Sequence, residues 1–187
     1  MITPVNTVKC YKDPLALDVT VRVRDQWVSD PAYLEMVQKT VICCTDSTLT
    51  VRGDPHAIYL AKRTACPMAG VWCLGGRVFF NDDSPEVSIA RCVKLETGVS
   101  LDPKRFVYLR TNLYSWVKVA QGDFGGKNFA ATYNVEVSSE ELTQMAHGLK
   151  KEEYDPVFGF QRFCRERLVD ESVHPAMLDI YDQLWTK

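Results

Sequence analysis

One helix is marked at both ends and constrains everything around it. Ser84 can cap its N-terminus, Pro85 suits the first helical position, Glu86 meets the positive end of the helix dipole, and Gly98 supplies a left-handed stop. These signals predict a helix over 85–97 carrying Arg91 and Glu96. A glycine pair, Gly75-Gly76, precedes it by a short loop. Glycine pairs after a strand are usually plain turns. Placed ahead of a well-capped helix, this one reads better as a phosphate-binding turn.

The flanking segments interleave strand and helix signals. Leu17, Val19, Val21 and Val23 alternate with polar residues, a period of two that predicts a half-buried strand. Pro31 after Asp30 opens a short helix over 31–39. Thr40–Cys44 and Ala57–Lys62 read as strands, the second following a turn around Gly53, Asp54 and Pro55. Phe106–Val119 and Phe129–Val137 read as a hairpin around the turn-forming sequence GDFGGKN. Ser138 or Ser139 caps a helix reaching Gly148, and a last helix begins at Pro175 with Met177, Tyr181, Leu184 and Trp185 on one core-type face. The pattern implies a single domain of mixed α and β structure over 1–187, with an N-terminal extension at about 1–29.

Composition narrows the chemistry. A net charge of −2 argues against a nucleic-acid binder working by bulk electrostatics, so any anion must be met by a local basic cluster. No apolar run approaches the roughly 20 residues that cross a bilayer, and the N-terminus lacks a basic segment followed by an apolar core; no membrane partner and a cytoplasmic location are expected. The seven cysteines are odd in number and form no CxxC pair, so neither a disulfide framework nor a structural zinc site is expected.

The segment Gly75-Gly76-Arg77-Val78, Ser84-Pro85-Glu86, Arg91 and Glu96-Thr97-Gly98-Val99 resembles the Nudix box, G-x5-E-x7-R-E-U-x-E-E-x-G-U with U aliphatic. Arg91, Val93, Glu96, Gly98 and Val99 match, and Asp83 stands for the first Glu. Two box glutamates are replaced by Cys92 and Leu95, which leaves Glu96 alone of three carboxylates on one helical face. A single metal ion is therefore expected. Beyond the box, the chain resembles the GDP-mannose mannosyl hydrolase branch, which lacks the same two glutamates. Lys62-Arg63-Thr64 with Pro67, the sequence Gly75-Gly76-Arg77-Val78, Asp123 to Phe129 with Tyr133, and the pair Thr40 and Asp46 carry that likeness over roughly residues 30–160.

The resemblance implies an α+β Nudix fold, an α/β/α sandwich with a mixed sheet, assembled as a homodimer. It implies one Mg²⁺, or Mn²⁺, held by the Gly75 carbonyl, Glu96 and Glu153. Arg63 and Arg77 would sit on the diphosphate of a nucleoside-diphosphate sugar, with Asp46, Arg91 and Lys118 as further substrate contacts. Water would attack the anomeric carbon of the sugar, and the position of the general base is Tyr154. The glycine pair comes one residue early against the family pattern and is expected to have slid as a unit, keeping Gly75 as the ligand. Tyrosine, with a reference pKa near 10, is a poor base, and His56, His147 and His174 occupy none of the matched positions. Two alternatives therefore stand: attack on phosphorus with Glu153 activating water, and a nucleotide-sugar binding or sensing module.

Several residues have plainer readings. Asp82 and Asp83 suit the helix dipole, Phe79 and Phe80 suit the core, and Cys92 reads as a buried thiol. Trp116, Phe124, Phe158 and Phe160 offer faces for a nucleobase, although aromatic residues in strands are usually core.

Overall fold

The computed structural model describes residues 30–79, 81–118 and 124–185. The strand expected at 17–23 lies outside them. The organising element is β1 (Val41–Val51), whose residues from Cys44 onward are buried on both faces, as a central strand requires. Along one side β1 pairs in parallel with β6 (Gly126–Val137), from Val41 opposite Lys127 to Val51 opposite Val137.

On its other side β1 has two different neighbours. Its C-terminal end pairs with β2 (Ile58–Arg63) through Leu49 and Tyr59, whereas Cys44–Ser47 pair with β4 (Leu74–Arg77). Both pairings are antiparallel, so β2 and β4 part from a common strand and leave a fork between them. β3 (Gly70–Trp72) and β7 (Phe160–Phe163) pair with β2, and β5 (Val107–Trp116) pairs with β6. The parallel β1/β6 pair makes the sheet mixed. The expected hairpin is β5 and β6, with β6 starting at Gly126.

Helices cover both faces. Among them α1 (Asp30–Lys39) matches the predicted span, and α2 (Pro85–Thr97) forms with Ser84 Oγ accepting from the Val87 amide at 3.3 Å and Gly98 at φ 74°. Helix α3 (Ser139–His147) is capped by Ser138 in a reciprocal box with Glu141, which decides between the two serines. Ile89 and Val93 of α2 and Met145 of α3 pack with Leu49, Val135 and Val137 on one face. Leu168 of α4 (Arg165–Asp170) and Met177 and Ile180 of α5 (Pro175–Trp185) pack with Ile58, Leu60 and Phe163 on the other. Each such fully buried aliphatic side chain stabilises the sandwich by about 1.5–3 kcal/mol, so an α/β/α architecture follows from the two apolar faces.

One sequence expectation is corrected here. Gly75-Gly76 are not a turn; they form the middle of β4, opposite Asp46 and Thr45. A Cβ on Gly75 would collide with Asp46 Oδ1 and lie 2.6 Å from the Thr45 carbonyl oxygen, and one on Gly76 would lie 2.9 Å from Cys92 Sγ. The glycines are needed because β4 is wedged against β1 and α2 more closely than any side chain permits. The short elements β3, β7 and α4 were also not anticipated.

Candidate active site

The fork opens a cavity of about 430 Å³ whose polar lining includes Asp46, Arg63, Gly75, Gly76, Arg77, Glu96, Lys150 and Glu153. Glu96 reaches it from the last turn of α2. The carboxylate is buried, and its Oε2 accepts the Gly75 amide at 3.2 Å. Burial pushes its pKa up to about 8, against the opposing pull of Arg63 and of the hydrogen bonds it receives. Of the two glycines, Gly75 is thus the one that meets Glu96, while Gly76 packs on Cys92.

Arg63 stands at the end of β2, its side chain only 14% exposed, with Nη2 3.4 Å from Glu153 Oε2. Glu153 also takes Lys150 Nζ at 2.6 Å. Both come from the segment after α3, which docks on the end of α2: the Lys150 amide donates to the Glu96 carbonyl at 2.8 Å, and a Cβ on Gly148 would run into the Thr97 carbonyl. This docking brings residues more than fifty positions apart in the chain to one spot. Asp46, buried on β1 opposite Gly75, has its pKa pushed up to about 7 by burial, again opposed by Arg63. Lys150 was missed in the sequence because nothing local marks it; only docking on α2 gives it a role.

The donor set suits one hard cation. Two carboxylates with a backbone carbonyl can hold an ion that keeps several waters and shares oxygens with a phosphate. Among the described residues no group of three or more His, Cys, Asp or Glu side chains is close enough to hold a metal by itself.

No protein-family model matches the sequence, and no curated protein matches it. Solved structures match in shape. The MutT protein from Methanosarcina mazei Go1 has a TM-score of 0.54 at 16% identity, covering 80% of this chain and 96% of that one. A Caenorhabditis elegans Ap4A hydrolase binary complex has 0.54 at 9% identity, covering 76% and 94%. The NUDIX domain of Shewanella oneidensis NrtR complexed with ADP ribose has 0.52 at 16% identity, covering 78% and 86%. This chain has a Nudix fold.

Helix α2 carries the residues that resemble the Nudix box, and several expected roles change. Arg91 was expected on substrate. Its guanidinium is instead engaged by Asp82, with Nε 2.8 Å from Oδ1 and Nη2 2.7 Å from Oδ2, and by the Arg77 carbonyl at 2.7 Å and Ser88 Oγ at 3.2 Å. It also lies 3.9 Å over the Phe79 ring. Arg91 lines the cavity but serves as a tie from α2 to Arg77, Phe79 and Asp82. Its carboxylate partner is Asp82, not Asp83, and Phe79 is a surface lid on Arg91, 42% exposed, not a core residue.

Tyr154 also moves from its expected role. It is fully buried within the apolar cluster under α2 and does not line the cavity. Its hydroxyl lies near Glu96 without making a hydrogen bond of good geometry, and burial pushes its pKa well above the ordinary tyrosine range. A group with so strong a hold on its proton is no base near neutral pH. Lys118 is corrected as well: it is exposed just past β5 and lines no part of the cavity. Arg63, Arg77, Gly75, Glu96 and Glu153 all line the cavity. Cys92 is the buried thiol expected, its pKa pushed up to about 11 by burial, and Leu95, in the place of a box glutamate, is an exposed apolar residue on the cavity rim. All the described cysteines are free thiols, and among the described residues no helix is long and apolar enough to cross a membrane.

Proposed function

We propose that this chain is a divalent-metal-dependent hydrolase of a nucleoside-diphosphate sugar, with GDP-mannose the first substrate to test. The observation that carries the reading is that Arg63, Arg77 and Lys150 line the same cavity as the carboxylates Glu96 and Glu153, with Arg63 and Lys150 paired to Glu153. In a chain of net charge −2, such a cation group is the local basic cluster that a diphosphate needs. Glu96, Glu153 and the Gly75 carbonyl would hold one Mg²⁺ or Mn²⁺, which supplies charge neutralisation at the leaving diphosphate. Arg63 and Arg77 contact the diphosphate oxygens and stabilise the negative charge that grows on them. Water attacks the anomeric carbon, the bond from that carbon to the β-phosphate oxygen breaks, and nucleoside diphosphate leaves. With Tyr154 buried, the proton of that water passes to Asp46, a carboxylate that lines the cavity and does not hold the metal. Homodimerisation and a cytoplasmic location belong to the same proposal.

Two features favour a second reading, a binding or sensing module: Cys92 and Leu95 replace glutamates of the box, and among the described residues no histidine lines the cavity. One assay separates the readings. The chain is incubated with Mg²⁺ and GDP-mannose or ADP-ribose in heavy-oxygen water, and the products are resolved by mass. Label in the released sugar supports attack at carbon, and label in a phosphate refutes it in favour of attack at phosphorus. Tight binding without turnover supports the sensing module.

A further inference from the structure

Part of the cavity lining is aromatic. Trp72, Tyr114 and Trp116 line the cavity together with Met68, Asn128 and Ala130. β3 and β5 lie at opposite ends of the strand order, yet the Trp72 and Trp116 rings meet edge-on at 5.9 Å. Tyr114 and Trp116 are stacked at 5.2 Å with 23° between their planes, and His174 closes on Trp72 at 5.2 Å. Polar contacts hold the rings in place. Asn112 Nδ2 donates to the Tyr114 hydroxyl at 3.0 Å, and with its amide in the hydrogen-bonding orientation Asn128 accepts the Trp116 Nε1 proton at 3.3 Å. Trp72 and Tyr114 are buried as backing, whereas Trp116 stays partly exposed.

We infer that Trp116, backed by Tyr114 and Trp72, is the stacking platform for the nucleobase of the bound nucleotide, in the same cavity as the arginines. The inference rests on the diphosphate reading above and deepens it. A wall of rings already fixed by neighbours loses little side-chain freedom when a flat ring settles on it, which favours a base over a flexible group. Stacking accepts any base, so this platform supplies affinity for nucleotides as a class. The arginines, by contrast, recognise only charge. Of the aromatic residues that the sequence offered for this role, Phe124, Phe158 and Phe160 do not line the cavity.

The test compares the full-length wild type with Trp116→Ala and Trp116→Phe in calorimetric titrations with GDP, ADP and inorganic pyrophosphate, all with Mg²⁺. Trp116→Ala is expected to weaken the nucleotides by about 5- to 150-fold, the range for base stacking on an aromatic side chain, and to leave pyrophosphate unchanged. Trp116→Phe should retain most of the nucleotide affinity, and the nucleotide-induced quenching of tryptophan fluorescence should shrink with it. Unchanged nucleotide binding in Trp116→Ala overturns the inference. Equal weakening of nucleotide and pyrophosphate overturns it too, since Trp116 would then only hold the fold. Wild-type binding of pyrophosphate as tight as that of either nucleotide also overturns it while leaving the diphosphate site standing. Binding of none of the three ligands removes both.

Discussion

Gly76→Ala offers a measurement of how tightly β4 is wedged. Neither Gly75 nor Gly76 has a left-handed φ, so alanine meets no backbone strain and the substitution reads close approach alone. The new Cβ would stand 2.9 Å from Cys92 Sγ, well inside the roughly 3.5–4.0 Å optimum for non-bonded heavy atoms. Cys92 is buried and cannot turn its thiol into water. Overpacking of this kind costs about 1–3 kcal/mol. With a urea m-value of about 2 kcal/mol/M, the unfolding midpoint should fall by about 0.5–1.5 M. Cys92→Ala removes the atom that is struck and should cost about 1 kcal/mol by itself. The double variant should then be more stable than the summed single effects predict, by about 1 kcal/mol or more, because the two changes share one contact. Gly75→Ala should behave differently. Its Cβ strikes the Thr45 carbonyl at 2.6 Å, and no side-chain truncation moves a backbone atom out of the way. Additive effects in the Gly76→Ala/Cys92→Ala pair, or a Gly75→Ala variant as stable as wild type, would refute the wedge.

Three further outcomes follow from the site. Glu96→Gln, nearly isosteric, should abolish the Mg²⁺ dependence of nucleotide-diphosphate binding while circular dichroism stays the same; retained Mg²⁺ dependence in calorimetry would remove Glu96 from the metal site. Tyr154→Phe deletes a buried hydroxyl that lacks a well-formed hydrogen bond, so stability should change by less than about 1 kcal/mol and any turnover should persist; a hundredfold loss of rate would return Tyr154 to proton transfer. Glu141 has its pKa lowered to about 2, chiefly by hydrogen bonds from Arg105, so its folded value lies below its unfolded one. The stability it contributes is present above the unfolded pKa and is lost as pH falls from about 5 through about 2. Arg105→Gln should flatten that acid limb in pH-resolved melts, and an unaltered limb would place the acid sensitivity elsewhere.

How much of this was legible depends on the range over which each signal acts. The ends of α2 lie within a few residues of their causes: Ser84, Pro85 and Gly98 set the local dihedrals and satisfy the orphan backbone groups whatever the rest of the chain does. The capping box of α3 and the apolar face of α5 are read for the same reason. The box residues Arg91 and Glu96 and the upstream Arg63 could be singled out because their types and spacings are written in the chain. Their partners could not. Nothing in the segment 77–83 says that Asp82, not its neighbour Asp83, will meet Arg91, because that depends on how the loop folds back over α2.

What the tertiary structure alone decided has one physical cause, close approach between segments far apart in sequence. A four-residue strand with two glycines has little strand propensity, and β4 exists because β1 and α2 grip it from either side. Tyr154 follows a matched position in the sequence, yet the packing of the post-α3 segment on α2 buries it and turns its neighbour Glu153 toward Arg63. The rings of Trp72 and Trp116 stand 44 positions apart on strands from opposite ends of the sheet order, and only the assembled sheet makes one wall of them. Side-chain chemistry and short-range backbone preference are properties of the sequence, whereas burial, pairing and the shape of a cavity are properties of the whole chain packed on itself.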